Sequence, residues 1–177
     1  MAKRVIAPPE KMGLRNVADV FSVSGCISDD FADYVPYWKH NGYWLFDSPE
    51  IIRAVANAAS ISLEGTQLFY YEVYPLQFDG EQWVAFAPEP SFQLNVQAPS
   101  AMQLEGFDVV TFWAGTSPEC SPLSCNLMAK EVETNSHCLL VTLEQAKQGL
   151  ESGVFKDAEP GPYRIFSVNS VPWPREQ

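Results

Sequence analysis

Three cysteines and one histidine in the second half of the chain are the residues best suited to chemistry. They follow the pattern Cys-x4-Cys-x11-His-Cys, with the members Cys120, Cys125, His137 and Cys138. Thiolate and imidazole groups are the ligands that zinc prefers in tetrahedral sites. The spacing departs from the Cys-x2-Cys pairs of common zinc sites, and adjacent strand residues point to opposite faces. We therefore expect no cofactor, and zinc at these four residues is the metal alternative.

The same residues also suit thiol catalysis. In this interpretation His137 activates Cys125 or Cys120 as a nucleophile, and Asn126 or Asn135 orients the imidazole ring. No local signature of a cysteine hydrolase surrounds them, and such signatures do not transfer between families. The spacing alone leaves the geometry open.

Two plainer interpretations of the cysteines remain. Cys120 and Cys125 form a reversible disulfide, or cysteines such as Cys26 and Cys138 are small buried core residues. The basic first residues are followed by Pro8-Pro9 before an apolar region of leader length can form. We therefore expect a cytoplasmic protein with reduced thiols.

A second candidate site is a surface of aromatic and acidic side chains. Two strand-like runs flank Asp79-Gly80, a pair that suits a two-residue hairpin turn. Both runs carry large side chains on both faces, so one face is core and the other resembles a protein interface. The residues predicted to contact a partner are Tyr70, Glu72, Tyr74, Asp79, Glu81 and Trp83. In the alternative interpretation, helices cover both faces of the sheet.

The charge of the chain indicates the kind of partner. The formal net charge is −11, and no Lys or Arg occurs over residues 54–129. Attraction to nucleic-acid phosphates or to anionic lipid is therefore unfavourable. A basic protein is the partner that this charge favours.

Composition and motifs restrict the class of protein further. Apolar residues make up 46% and charged residues 19% of the 177 residues, which is typical of a globular domain. No apolar run is long enough to span a bilayer. A Gly-rich phosphate loop, a dinucleotide fingerprint, a Gly-x-Ser-x-Gly elbow and a His-Glu-x-x-His motif are all missing from the sequence. Most common enzyme chemistries thus lack their sequence marker.

Local signals predict the elements that position these residues. A capping residue, Pro49 and an acid start a helix that runs to about Ala59, with Ile51, Ala54, Val55 and Ala58 on its buried face. Strands are predicted within 67–86, over 92–96 and 107–113, and over 163–171. Thr142-x-x-Gln145 is a capping box that opens a second amphipathic helix.

These elements predict an α+β fold. We expect one domain, a mostly antiparallel twisted sheet of about five to seven strands with two main amphipathic helices packed on it. Residues 1–13 are predicted to be a flexible N-terminal arm, and residues 14–177 the globular domain.

The leading functional hypothesis is an acidic, non-catalytic protein-binding module. Such a module occupies a basic partner, as an inhibitor or an immunity-type protein does. The alternative is a small metal- or thiol-dependent enzyme centred on Cys120, Cys125 and His137. The oligomeric state stays open.

Overall fold

The fold is an open antiparallel sheet with two helices. A computed structural model describes residues 2–4, 13–14, 16–24, 45–86, 96–112 and 120–174. The strands are β1 (Ala2–Arg4), β2 (Thr66–Val73), β3 (Leu76–Phe78), β4 (Trp83–Ala85), β5 (Gln103–Thr111) and β6 (Tyr163–Val171). The helices are α1 (Pro49–Ala59) and α2 (Leu143–Glu151), with a 3-10 turn at Met128–Lys130. The predicted fold class is confirmed.

The last described strand, β6, is the centre of the sheet. It pairs with β2 along one edge and with β5 along the other, both antiparallel. Strand β3 continues the line of β2 beyond Pro75 and meets β6 at the pair Phe78 and Tyr163. Strands β1 and β4 pair with the outer edges of β2 and β3.

The first residues of the predicted arm are part of the sheet. Ala2–Arg4 form β1 and pair with Thr66 to Leu68 of β2. These three residues are therefore an edge strand, whereas the sequence predicts a flexible arm there. Residues 5–12 lie outside the described ranges.

Both helices pack on the same face of the sheet. Helix α1 packs through Ile52 and Val55 against Val171, and α2 packs through Leu150 against Ile165. Val171 and Ile165 occupy odd-numbered positions of β6, which share one face because side chains alternate along a strand. The opposite face is covered by other segments, including Val23 and Leu45. Of the two described helices, neither lies on that face.

Helix α1 has the predicted ends but a different buried face. Ser48 caps it by accepting a hydrogen bond from the backbone N–H of Ile51 at 3.4 Å. The buried residues are Ile52, Val55 and Ala56. Ala54 and Ala58, which the spacing places inside, are exposed. Val55 is buried as predicted, and Ile51 is half-buried at the border of the same cluster.

The turn between β3 and β4 is longer than predicted. Phe78 pairs with Trp83 and Leu76 with Ala85, so Asp79 to Gln82 form the turn. Asp79 Oδ1 accepts hydrogen bonds from the backbone N–H groups of Glu81 at 2.9 Å and Gln82 at 2.8 Å. This side-chain capping closes the four-residue turn in place of a two-residue hairpin.

Strand β5 is longer than predicted and contains a bulge at Gly106. The φ of Gly106 is +150°, and a Cβ on this residue would lie 2.7 Å from the carbonyl oxygen of Leu140. Leu140 bridges to Phe107, so the close approach requires glycine. Most of the predicted strand at 92–96 lies outside the described residues.

Helix α2 begins at the predicted capping box. Thr142 Oγ1 accepts a hydrogen bond from the backbone N–H of Gln145, and Gln145 Oε1 accepts one from the backbone N–H of Thr142. Ala146 and Leu150 are buried against the sheet. Gly153 follows the helix with φ of +74°, as expected at a helix C-terminus. Within the described ranges, no helix is long and apolar enough to cross a membrane.

Candidate functional site

Two of the predicted partner residues form an aromatic corner. The rings of Tyr74 and Trp83 lie with their centroids 5.6 Å apart and their planes at 79°. Phe78 also contacts the indole, with a centroid distance of 5.3 Å and the planes at 60°. Both Tyr74 and Trp83 are half-buried and pack against the core cluster that α2 covers. These aromatic side chains therefore line the border of the helix rather than an open sheet face.

Helix α2 supplies two charged groups to this corner. The indole Nε1 of Trp83 donates a hydrogen bond to Glu151 Oε1 at 2.7 Å. The ammonium group of Lys147 lies 5.4 Å from the ring centroid of Tyr74 and 6.0 Å from that of Trp83. Distances of this size fall in the range of cation–π contacts. The corner is thus fixed by one carboxylate and occupied by one cation of the same helix.

Further carboxylates lie at the same end of the sheet as the aromatic corner. The loop after α2 lies next to the β3–β4 turn. A Cβ at Gly161 in this loop would lie 3.7 Å from the carbonyl oxygen of Asp79. Burial raises the pKa of Tyr163, and the charges of Glu159 and Asp157 raise it further. We call this region the acidic end, and its carboxylates are Asp79, Glu81, Glu151, Asp157 and Glu159. These carboxylates outnumber the nearby lysines, Lys147 and Lys156.

Asp79 is held as an anion in the turn. The backbone N–H groups of Gln82 and Glu81 lower the pKa of its carboxyl group. The side chains of Asp79 and Glu81 are both exposed. This part of the acidic end therefore presents fixed negative charge to solvent at neutral pH.

The remaining two predicted partner residues lie further along β2. Tyr70 and Glu72 occupy alternate positions on the helix-bearing face, opposite Asn169 and Ser167 of β6. Glu72 is exposed, whereas Tyr70 is half-buried against the α1 cluster. Burial raises the pKa of Tyr70, and so do the charge of Glu72 and its hydrogen bond with the phenol. They form a border of the predicted surface rather than its centre.

The cysteines of the predicted metal or thiol site are thiols of different exposure. Cys120 and Cys125 are half-buried, and Cys138 is buried at 2% exposure. Burial raises the pKa of Cys138 to about 12, and the charges of Asp108 and Cys125 add to this shift. Cys138 is therefore a core residue and a poor nucleophile at neutral pH. Cys26 lies outside the described residues.

His137 is engaged by carboxylates. Its Nδ1 contacts Asp19 Oδ1 closely, and its Nε2 lies 3.8 Å from Glu105 Oε2. The imidazole stacks on Phe21 with centroids 4.1 Å apart. Among the described residues, no three His, Cys, Asp or Glu side chains are grouped to hold a metal ion. The structure thus does not bring Cys120, Cys125, His137 and Cys138 together as a ligand set.

The two asparagines proposed to orient the imidazole have other partners. Asn126 Nδ2 donates to the carbonyl oxygen of Ala158 and to Glu159 Oε1, both at 3.0 Å. Asn135 Nδ2 donates to the carbonyl oxygen of Glu105 at 2.7 Å. These contacts close loops and do not build a catalytic arrangement.

The sequence interpretation missed a buried carboxylate in the middle of the protein. Asp108 of β5 is fully buried and accepts hydrogen bonds from Ser22 Oγ at 2.5 Å, Val23 N at 3.0 Å and Ser121 Oγ at 2.6 Å. The network ties two chain segments to the sheet. A single acid inside the apolar run 107–113 was the available signal, because buried charges need partners.

Comparison of the chain with protein-family models, with curated proteins and with solved structures found no match.

Proposed function

We propose that this chain is an acidic, non-catalytic protein-binding module that acts in the cytoplasm. Its acidic end contacts a basic partner protein and occupies it, as an inhibitor or an immunity-type protein does. The observation that carries the proposal is the position of Tyr74 and Trp83 among the carboxylates of the acidic end.

The chemistry of this surface supports protein recognition. Aromatic residues are enriched at interface centres, and charged residues at the rim select the partner and speed encounter. Here Trp83 and Tyr74 supply the aromatic area, and Glu81 and Asp157 supply exposed charge. A net charge of −11 adds long-range attraction for a cationic protein.

The surface is also ordered before binding. Asp79 is fixed by two backbone N–H groups, and Glu151 is fixed by the indole of Trp83. Side chains that are already ordered lose less conformational entropy when a partner binds. This favours binding over a role as a merely solvated face.

No observation favours the rival enzyme. His137 is directed to Asp19 and Glu105, and Cys138 has a pKa of about 12. The backbone of Cys120 hydrogen-bonds with Thr111 Oγ1, and the thiol of Cys125 contacts the hydroxyls of Ser24 and Ser124. These positions support a binding module rather than an enzyme.

The experiment compares two charge-reversal variants with equal net charge. The first carries Glu81→Lys and Asp157→Lys at the acidic end, and the matched control carries Glu64→Lys and Glu133→Lys. All four residues are exposed, and Glu64 precedes β2 at the end of the sheet remote from the β3–β4 turn. The probe is a synthetic peptide rich in arginine and lysine, with binding measured by calorimetry at low and high salt.

We expect the wild-type chain to bind the peptide, and added salt to weaken this binding. The acidic-end variant should lose about tenfold in affinity, and the control should lose clearly less. Equal losses in the two variants, or binding that salt does not change, contradict the proposal.

A further inference from the structure

We propose that Tyr74 and Trp83 form the binding site for one arginine or lysine side chain of the basic partner, and that Lys147 occupies this site in the free protein. The inference rests on the proposed function. It adds a defined position and a competition between two cations for the same rings.

The two rings have the shape that such a site needs. Their planes meet at 79° with centroids 5.6 Å apart, so they form a corner rather than a stack. Phe78 packs next to the indole with a centroid distance of 5.3 Å and helps to hold it in place. A cation over ring faces is attracted by their negative quadrupoles, and tryptophan is the strongest of the aromatic partners.

Lys147 shows where the cation lies. Its ammonium group is within 6.0 Å of both ring centroids, and its side chain is half-buried in this position. Glu151, one turn later on α2, holds the indole through its Nε1. The same helix thus orients the ring and places a cation on it.

The surroundings favour replacement of Lys147 by an external cation. Lysine has a flexible stem, and its ammonium group can move into water while the stem keeps its apolar contacts. An arginine from a partner stacks on aromatic faces with its planar guanidinium group and is less strongly hydrated than an ammonium. The exposed carboxylates of Glu81 and Asp79 lie on the same hairpin as Trp83 and add charge complementarity.

The decisive experiment removes either of two lysines. Lys147→Met removes the ammonium group from the aromatic corner, and Lys156→Met removes the same charge from the same end of the molecule. Both variants make the protein more acidic, so a general electrostatic effect changes the two equally. We expect Lys147→Met to bind the arginine-rich peptide about threefold more tightly than Lys156→Met does.

A second measurement follows the ring itself. The indole N–H resonance of Trp83 is assigned by its loss in Trp83→Phe, and it should shift when the peptide is added to the wild-type chain. Trp83→Leu should bind the peptide about fivefold more weakly, with unfolding curves to confirm that the variant is folded. If that variant does not fold, the lysine comparison and the wild-type resonance still decide.

The outcomes separate this inference from the proposed function. Equal affinities of Lys147→Met and Lys156→Met, with no shift of the Trp83 resonance, overturn the cation site. In that case, the charge-reversal experiment at Glu81 and Asp157 still tests whether the acidic end binds a basic partner. A peptide that does not bind the wild-type chain overturns both proposals.

Discussion

Trp83 of β4 and Glu151 of helix α2 are joined by a hydrogen bond of 2.7 Å between the indole Nε1 and Oε1. The bond connects the β3–β4 hairpin to a helix that lies 68 residues later in the chain. The hairpin also reaches the central strand through the pair Phe78 and Tyr163 and through Arg164 Nη2, which donates to Gln77 Oε1 at 3.1 Å. The position of Trp83 therefore depends on Glu151 as well as on the sheet.

This relationship predicts the behaviour of two substitutions at Glu151. Glu151→Ala removes the acceptor of the indole N–H, so we expect this proton to exchange with solvent faster than in the wild-type chain. Glu151→Gln keeps an acceptor and should exchange at close to the wild-type rate. The measurement is hydrogen exchange of the Trp83 indole followed by NMR. Equal exchange in all three proteins would show that the bond is not formed in solution.

The buried carboxylate predicts a large loss of stability. Asp108→Ala leaves the hydroxyls of Ser22 and Ser121 and the backbone N–H of Val23 without their acceptor. We expect the free energy of unfolding to fall by about 3 kcal/mol, because unsatisfied buried donors are costly. Ser121→Ala, which removes one donor, should cost clearly less. Urea unfolding measures both, and a loss below about 1 kcal/mol for Asp108→Ala contradicts the role of the network.

A buried phenol predicts a stabilising substitution. The hydroxyl of Tyr71 is buried and has no hydrogen-bond partner among the described residues. Tyr71→Phe removes this group and keeps the ring that stacks on Phe69. We expect the free energy of unfolding to rise by about 1 kcal/mol, measured by urea unfolding at neutral pH. A loss of stability of that size would reveal a partner for the hydroxyl.

The thiol of Cys138 predicts a decline of stability in alkali. Burial raises its pKa from about 9 to about 12 in the folded chain, so between these values the unfolded chain loses the proton and the folded chain keeps it. Stability therefore falls as the pH rises through this window and is unaffected below it. Burial and the charge of Asp108 raise the pKa of Tyr71 in the same direction, so this phenol adds to the decline.

The control for this prediction is Cys138→Ala. Its unfolding free energy is lower at neutral pH because a small cavity is formed, but it should fall less steeply above pH 9 than that of the wild-type chain. The slope of the unfolding free energy against pH is the quantity to compare. Identical slopes for the two proteins would mean that Cys138 titrates normally in the fold.

Local signals predicted part of the fold well. The ends of α1 and the strand β6 agree with the sequence prediction, and so does the capping box at Thr142. These features depend on a few adjacent residues, whose caps and strand propensities act within the segment. The prediction for the buried face of α1 was right at Val55 and wrong at Ala54 and Ala58, because distant packing partners decide it. The two-residue turn at Asp79-Gly80 was predicted wrongly, because two hydrogen bonds to Asp79 Oδ1 close a four-residue turn.

The sequence predicted the hairpin residues of the candidate site but not its helix residues. The sequence pointed to Tyr74, Trp83 and the acids of the hairpin, which are neighbours in the chain. It could not supply Lys147 and Glu151, because only the packing of α2 brings them to the hairpin. The described members of the Cys/His pattern are not grouped as a ligand set, since spacing along a loop does not fix distances in space.

The central place of β6 has a consequence for the order in which the chain acquires structure. Strands β2 and β5 each pair with β6, and the sheet has no direct contact between them in the described pairing. During synthesis, both strands leave the ribosome before residues 163–171, so the backbone groups that pair with β6 are at first unpaired. Until then they are exposed to wrong pairing with other chains, so a chaperone that shields extended segments should increase the yield of native protein.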